Sequence, residues 1–190
     1  MASEDQVRAT QEIAYCEAIL AKSSSNVLLK VLPQTGLETW KHYPQTDVYD
    51  PQSGAQWYYH CHDDSPGKGE HGHFHCFVRP DGMHSAACHL IAVGVDRLGH
   101  VTRLFTVNQW VVGGDWSDAE TTNSYLDRFN VELAEPDYLV NRWLTAIVTR
   151  YEDIIRQLNL DRDLWLEQQD RELGDLLADK NIEVLSELRL

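Results

Sequence analysis

The fold is decided by WYYHCH at residues 57–62, followed after a polar link by EHGHFHCF at residues 70–77. Both segments are rich in aromatic residues, as β-strands are. Pro66-Gly67 in the link is a turn signal. Because two parallel strands cannot be joined by so short a connection, the sequence predicts an antiparallel hairpin.

Five of the nine histidines lie between positions 60 and 75, and they alternate with other residues. Successive side chains on a strand point to opposite faces, so histidines two positions apart share a face. Directly opposed residues of a hairpin also share a face, with Cβ atoms about 4.5–5.5 Å apart. We therefore expect four or five imidazoles on one patch with Glu70 at its rim, the opposed pairs being His62–His71, His60–His73 and Tyr58–His75.

An imidazole cluster on an apolar sheet has to be hydrogen-bonded, charged at mutual cost, or shared through a metal ion. Neutral imidazole nitrogen suits iron, copper, zinc and nickel. Two or three histidines with one carboxylate leave coordination positions open, which is typical of catalytic sites. We expect a divalent transition metal here, iron or copper before zinc or nickel, with the ligands His60, His62, His73 and Glu70.

Other residues near the predicted hairpin are candidates for catalysis and substrate binding. His71 or His75 would shuttle protons or orient ligands, and Tyr58 would place the substrate. Arg79 and Arg103 suit a carboxylate or phosphate group, although solvation at a strand edge explains Arg103 equally well. Two further candidates for substrate binding, Asp47 and Tyr49, precede the hairpin. A structural role in a turn beside Pro51 is the simpler explanation for these two residues.

The four cysteines form no CxxC pair, so reduced thiols are expected. Cys61 and Cys76 alternate out of phase with the histidines and should face the opposite side of the sheet. This argues against a mixed cysteine and histidine zinc finger.

The remaining chain predicts helices on either side of this β region. Ser3 and Gln6 form a capping box that opens a helix to about Lys22, and a second short helix stops at Pro33. Residues 36–54 read as an ordered loop. Further strands are expected at 89–95 and 101–110. One helix is expected from Pro136 to Leu158, and a second helix, capped by Asp161, is expected to run to Leu190.

Together these elements predict an α+β fold in one domain of 190 residues. An antiparallel sheet, curved into a half barrel, would have helices packed on one face. Its parts would be N-terminal helices at 1–35, the sheet with its histidine hairpin at 55–112, and C-terminal helices at 135–190. The leucines of the last helix suit a homodimer contact.

The net charge of the chain limits the classes of molecule that it is expected to bind. The chain has 16 lysine and arginine residues against 30 aspartate and glutamate residues, a net charge of −14. Such an excess repels nucleic acids and anionic membranes, so neither is expected as a partner, nor is a role as a DNA-binding sensor. The acidic start and the lack of a long apolar run predict a cytoplasmic protein with a small-molecule substrate.

Two resemblances follow from the histidine segments. His60-x-His62 with the later Glu70 is similar to the first metal motif of the cupins, which hold iron, manganese, nickel or zinc. The gap to Glu70 is longer than in cupins, and the second cupin motif is missing. The run from Trp40 to Trp116, with its HxH and EHGHFHxF segments, resembles more closely an uncharacterised bacterial family, which implies a shared fold and shared histidines.

Three functions agree with this sequence. The first is a metal-dependent enzyme, an iron or copper oxidoreductase acting on a small polar metabolite, with a metal hydrolase or isomerase as a near variant. The second is a metal storage or delivery protein. The third is a metal-free small-molecule-binding protein or a partner protein of a biosynthetic pathway.

Overall fold

One open antiparallel sheet organises the computed structural model, which describes residues 2–35, 37–62 and 69–190. Its six strands lie side by side in chain order: β1 (Tyr43–Tyr49), β2 (Ala55–His60), β3 (Gly72–Val78), β4 (Cys88–Val95), β5 (Val101–Val107) and β6 (Val184–Arg189). The helices are α1 (Glu4–Lys22), α2 (Val27–Val31), α3 (Gln109–Val112), α4 (Ala119–Ser124), α5 (Tyr138–Arg150), α6 (Glu152–Glu167) and α7 (Leu173–Leu177). The predicted α+β class is confirmed, and β1 and β6 form the two edges of a sheet that does not close.

The predicted hairpin register is confirmed as far as the strands extend. His60 pairs with His73, and Tyr58 pairs with His75. The Pro66-Gly67 turn that was expected to join β2 to β3 lies outside the described residues.

One face of the sheet is the main hydrophobic core. Trp57 of β2 and Phe74 of β3 meet Trp143 of α5 there, and Trp57 Nε1 donates to Asn141 Oδ1 at 2.9 Å. Because side chains alternate along a strand, the residues between these core positions point to the other face. The core therefore fixes which face the histidines occupy. Cys61 and Cys76 lie in the core, on the face predicted for them.

The N-terminal helix begins as its sequence predicts. The Ser3 side chain accepts from the Gln6 backbone N–H, and the Gln6 side chain accepts from the Ser3 N–H. The expectation that helices pack on one face only is wrong. Val111 and Val112 of α3 pack on the opposite face, against Ala92, Phe105 and Val107.

The two edge strands, β1 and β6, were not predicted from the sequence, which indicated a loop and a helix at these positions. Residues 43–49 form β1 and not an irregular loop. Pro44 is tolerated because it stands near the start of an edge strand, where a missing N–H breaks few ladder bonds.

The C-terminal prediction is also wrong. Asp161 lies inside α6, and the last residues form β6 where a helix to Leu190 was expected. The open edge of β5 offers unpaired backbone groups, and β6 satisfies them along the register from Arg103–Arg189 to Val107–Val184.

Among the described residues, the structure contains no helix that is both long enough and apolar enough to cross a membrane.

Candidate metal centre

Three imidazoles converge where the end of β2 lies beside the start of β3. His60 is the last residue of β2, His73 opposes it on β3, and His62 follows two positions beyond His60. The Nε2 atoms of His60 and His73 lie 2.8 Å apart, and those of His62 and His60 lie 3.2 Å apart. The three residues offer ligand atoms that all lie within 4.8 Å of one another.

These separations fit a shared metal ion. With metal–nitrogen distances of roughly 2.0–2.1 Å, nitrogen pairs at these spacings subtend angles of about 85–105° at the ion. That range covers neighbouring positions of an octahedron and approaches the tetrahedral angle. Three histidine ligands would leave the remaining coordination positions of the ion for a further ligand or substrate.

Carboxylates lie behind two of the three rings. His73 Nδ1 lies 3.2 Å from Glu70 Oε1, and His62 Nδ1 lies 3.7 Å from Glu183 Oε1. The Glu70 carboxylate accepts the proton of His73 Nδ1, so Nε2 of that ring presents its lone pair to the centre. Glu183 lies beyond hydrogen-bond distance of His62 and acts on that ring through its charge. Carboxylate–histidine pairs of this kind orient the ligands of known metal sites.

Arg103 fixes the first of these carboxylates. Its guanidinium donates from Nε and Nη2 to the two oxygens of Glu70, and from Nη1 to Glu187 Oε2 at 2.9 Å. Both oxygens of Glu70 are thus engaged with His73 and Arg103. In this geometry Glu70 supports His73 from behind, and its role as a direct ligand stays a prediction.

Burial favours the neutral form of two of the three imidazoles. Burial, together with the neighbouring His73 and His62, lowers the pKa of His60 to about 3. Burial and His73 also lower the pKa of His62. Burial alone would raise the pKa of Glu70, but its hydrogen bonds with His73 and Arg103 outweigh burial and lower that pKa to about 2. The site therefore combines neutral metal-binding nitrogens with an ionised carboxylate.

A fourth and a fifth imidazole continue the row. His75 is fully buried, with its ring centroid 5.0 Å from that of His60 and 4.8 Å from that of His73. Its Nδ1 lies 3.0 Å from His89 Nε2 on β4. Tyr58 is buried beside them, with its ring centroid 5.0 Å from that of His75.

Two rings from the segment before β1 cover this row. Trp40 stacks on His62 with ring centroids 4.0 Å apart, and His42 stacks on Tyr58 at 3.6 Å. His42 Nδ1 lies 3.0 Å from Asp47 Oδ1, so the predicted Asp47 reaches the site by orienting an imidazole. His42 was missed in the sequence, because this segment was expected to be a loop without a fixed relation to the hairpin.

A polar cavity of about 250 Å³ opens against the histidines. It offers a small polar molecule access to the side of the centre formed by His62 and His73. Among the described residues, those that line it are His62, Glu70, His71, Gly72, His73, Arg103 and Arg189.

The position of His71, two residues before His73, suggested that it belongs to the imidazole row, but the structure places it outside that row. It precedes β3, and its ring stacks with that of Tyr59, whose hydroxyl is hydrogen-bonded to His71 Nδ1. The alternation holds only within the strand, and His71 lies just outside it. His71 nevertheless lines the cavity.

The remaining substrate-binding candidates are divided between the two ends of the site. Arg79 donates to Gln56 Oε1 and to the Ser85 carbonyl, and Gln56 Nε2 donates to Asp47 Oδ2 at 2.7 Å. Tyr49 ends β1 opposite Gln56. Arg103 alone of these candidates lines the cavity, and its guanidinium is shared between Glu70 and Glu187.

Glu183 was missed for a different reason. It lies just before β6, far along the chain from His62, and no local pattern marks it. The backbone positions it, since the Asn108 N–H donates to the Glu183 carbonyl at 2.8 Å.

The comparisons with known proteins give one match. A family described as a domain of unknown function, DUF6969, matches residues 7–190, which include both histidine segments. No curated protein and no solved structure matches the chain. The expected resemblance to an uncharacterised family is confirmed, and the family description assigns no activity.

Proposed function

Because the chain belongs to the DUF6969 family, whose function is unknown, we propose its activity from the chemistry of the histidine site: it is a metal-dependent oxidoreductase. His60, His62 and His73 would hold one divalent transition metal ion, iron or copper before zinc or nickel. The observation that supports this proposal most strongly is that the Nε2 atoms of these three histidines converge. Nε2 of His60 lies 2.8 Å from that of His73 and 3.2 Å from that of His62, and carboxylates lie behind the rings of His73 and His62.

The ligand type supports an enzyme over a closed structural site. Structural zinc sites are commonly built from four protein ligands that include cysteine, whereas the cysteines here are buried in the core away from the histidines. Three histidine ligands would leave further positions on the ion where reactants can bind. That arrangement suits oxidation of a small molecule, for which the bound ion would supply redox or Lewis-acid chemistry.

The protein's own groups would position the ligands and the substrate. Glu70, held by Arg103, keeps His73 oriented toward the ion. Tyr58 and His75 border the centre on its buried side, and His71 borders the cavity; these three are the candidates for contact with reacting groups.

The cavity favours a small polar substrate. Arg103 and Arg189 contribute positive charge to its wall, and Glu70 and Glu187 balance much of it. A small metabolite with a carboxylate or phosphate group would bind through the guanidinium N–H groups that remain. Asp47, Tyr49 and Arg79 lie toward the other end of the site, where Asp47 would act through His42.

Metal analysis of protein purified without a histidine tag tests this proposal. We expect about one iron or copper ion per chain and loss of that ion in His60→Ala and in His73→Ala. His100→Ala is the matched control, since His100 is exposed and pairs with Asp96. Full metal content in both cluster variants would end the proposal, and several ions per chain would favour metal storage instead.

Dioxygen consumption tests the reaction class. Iron-loaded and copper-loaded proteins would be screened against small carboxylates and phosphate esters. We expect uptake with at least one substrate, and we expect none in His73→Ala. Metal-dependent hydrolysis without any oxygen uptake would replace the oxidoreductase with a metal hydrolase.

A further inference from the structure

His75 carries a buried polar atom that nothing in the described part of the chain satisfies. Its side chain is fully buried, and Nε2 is without a hydrogen-bond partner among the described residues. Leaving such a group unpaired costs about 1–3 kcal/mol. A core position this costly points to a ligand that binds there.

The ring of His75 lies beside the metal centre, at centroid distances that ligands of one ion also show. The ring centroids of His60, His62 and His73 lie 4.6 to 5.1 Å from one another. The His75 centroid lies 5.0 and 4.8 Å from two of them, within the same range. Imidazoles bound to one ion at neighbouring positions have centroids about 4.5–5.2 Å apart, given metal–nitrogen distances of roughly 2.0–2.1 Å.

The strand register places His75 opposite His62 across the centre. His60 and His73 form the middle pair of the hairpin. His62 lies two residues to one side of this pair and His75 two residues to the other, all on one face. An ion bound by the middle pair would therefore find His62 and His75 at opposite ends.

His89 holds the outer nitrogen of His75. The β3–β4 register shifts between Cys76 and Phe77, so that Phe77 pairs with His89 and not with Leu90. This bulge turns His89 onto the histidine face, where its Nε2 lies 3.0 Å from His75 Nδ1. If Nδ1 donates its proton to His89, Nε2 of His75 presents a bare lone pair toward the ion.

We propose that His75 is a fourth ligand of the metal ion, which makes the centre a four-histidine site, and that His89 is its positioning residue. This inference rests on the metal centre proposed above, and it replaces the contact with reacting groups suggested there for His75, since both ring nitrogens of His75 are then engaged. Binding would draw the His75 ring toward the middle pair, because so far only His60, His62 and His73 have ligand atoms within 4.8 Å of one another.

The fourth ligand has two consequences. Four neutral imidazoles leave the charge of a divalent ion intact, and the carboxylates of Glu70 and Glu183 balance it from behind His73 and His62. In a six-coordinate centre two positions remain open. Since His62 and His73 line the cavity, those positions would face the cavity.

Cobalt titration of chelator-treated protein, followed by visible absorption, tests this assignment. Loss of a group that only hydrogen-bonds a metal ligand typically lowers metal affinity by roughly 10–100-fold. In His75→Leu we expect a larger fall in cobalt affinity, together with a change in the cobalt spectrum. In His89→Leu we expect a fall of about 10–100-fold with the wild-type spectrum retained. His100→Leu is the control and should bind as wild type.

A purely structural role for His75 makes a different prediction. A packing residue would lower the melting temperature of the metal-free protein when replaced. We expect metal-free His75→Leu to melt close to wild type, because removal of an unsatisfied buried nitrogen offsets loss of the hydrogen bond to His89. The rise in melting temperature on adding cobalt should shrink at the same time.

The outcomes separate this inference from the proposed function. If wild type binds no cobalt, the metal centre itself is refuted. If wild type binds cobalt and folded His75→Leu shows the same affinity and spectrum, only the fourth ligand is refuted. Should His75→Leu not fold, X-ray absorption on the cobalt-loaded wild type decides by counting four imidazoles, as we expect, or three.

Discussion

Glu70→Gln separates a carboxylate that supports a ligand from one that is itself a ligand. Glu70 accepts from His73 Nδ1 at 3.2 Å and from two nitrogens of Arg103, and less than a quarter of its side chain is exposed. Glutamine keeps the shape but removes the charge that holds the tautomer of His73. Losing such an outer partner lowers metal affinity by about 10–100-fold, or roughly 1.4–2.7 kcal/mol.

The assay is competition for cobalt between the protein and a chelator of known affinity, at constant pH and salt. Urea unfolding of the metal-free variant accompanies it, because Arg103 loses one of its two carboxylates. We expect unfolding to cost about 1–3 kcal/mol less than in wild type. The cobalt spectrum should keep its shape, since the ligands are unchanged.

Glu183→Gln is the matched variant. Its carboxylate lies 3.7 Å from His62 Nδ1 and is more exposed than that of Glu70, so the loss of affinity should be smaller. Unchanged affinity in Glu70→Gln would refute the supporting role. A changed cobalt spectrum would instead identify Glu70 as a direct ligand.

Three further predictions concern the surroundings of the site. Trp40 stacks on His62, so copper binding should quench its fluorescence; most of the quenching should disappear in Trp40→Phe, and equal quenching in both proteins would mean that the ion binds elsewhere. A Cβ at Gly94 would meet Glu70 Oε2 and the Arg103 side chain, so Gly94→Ala should weaken cobalt binding without touching a histidine, and wild-type affinity in the folded variant would contradict this. Burial lowers the pKa of His60 to about 3 and that of His75 well below its usual value, whereas the unfolded chain binds these protons near pH 6.5. Stability of the metal-free protein should therefore fall as the pH drops from about 6.5 toward 3, by up to about 1.4 kcal/mol per pH unit for each such histidine, and His60→Leu should show a shallower slope in urea unfolding.

The sequence predicted the centre of the site because its determinants are local. Alternation along two adjacent segments sets which side chains share a face, and a short link sets the antiparallel direction. Those two facts limit the partner of His60 to one of the alternating histidines, and the register expected for the hairpin selects His73, which the structure confirms. His71 departs from the pattern because it lies one residue before β3 begins.

The residues around the centre depend on tertiary structure. His42 reaches the site because β1 pairs with β2 and brings the preceding segment over Tyr58. Glu183 reaches it because β6 returns to the edge of β5. The bulge that turns His89 onto the histidine face leaves no local signal that distinguishes it from ordinary alternation.

The C-terminal segment shows how charge misleads a local reading. Residues 184–189 are rich in charged side chains and leucines, a composition that also suits a surface helix. In the structure, the side chain of Glu187 forms an ion pair with Arg103, and Leu185 is buried in a small cluster with Leu166 and Leu176. The strand forms because the edge of β5 is open, which only the assembled sheet reveals.

The most direct measurement is anomalous diffraction from crystals of the metal-loaded protein, recorded on both sides of the absorption edge of the metal. We expect one strong peak about 2.0–2.2 Å from the Nε2 atoms of His60, His62 and His73. Crystals of metal-loaded protein with no anomalous peak among these rings, or with the metal only at exposed carboxylates, would contradict a catalytic metal centre.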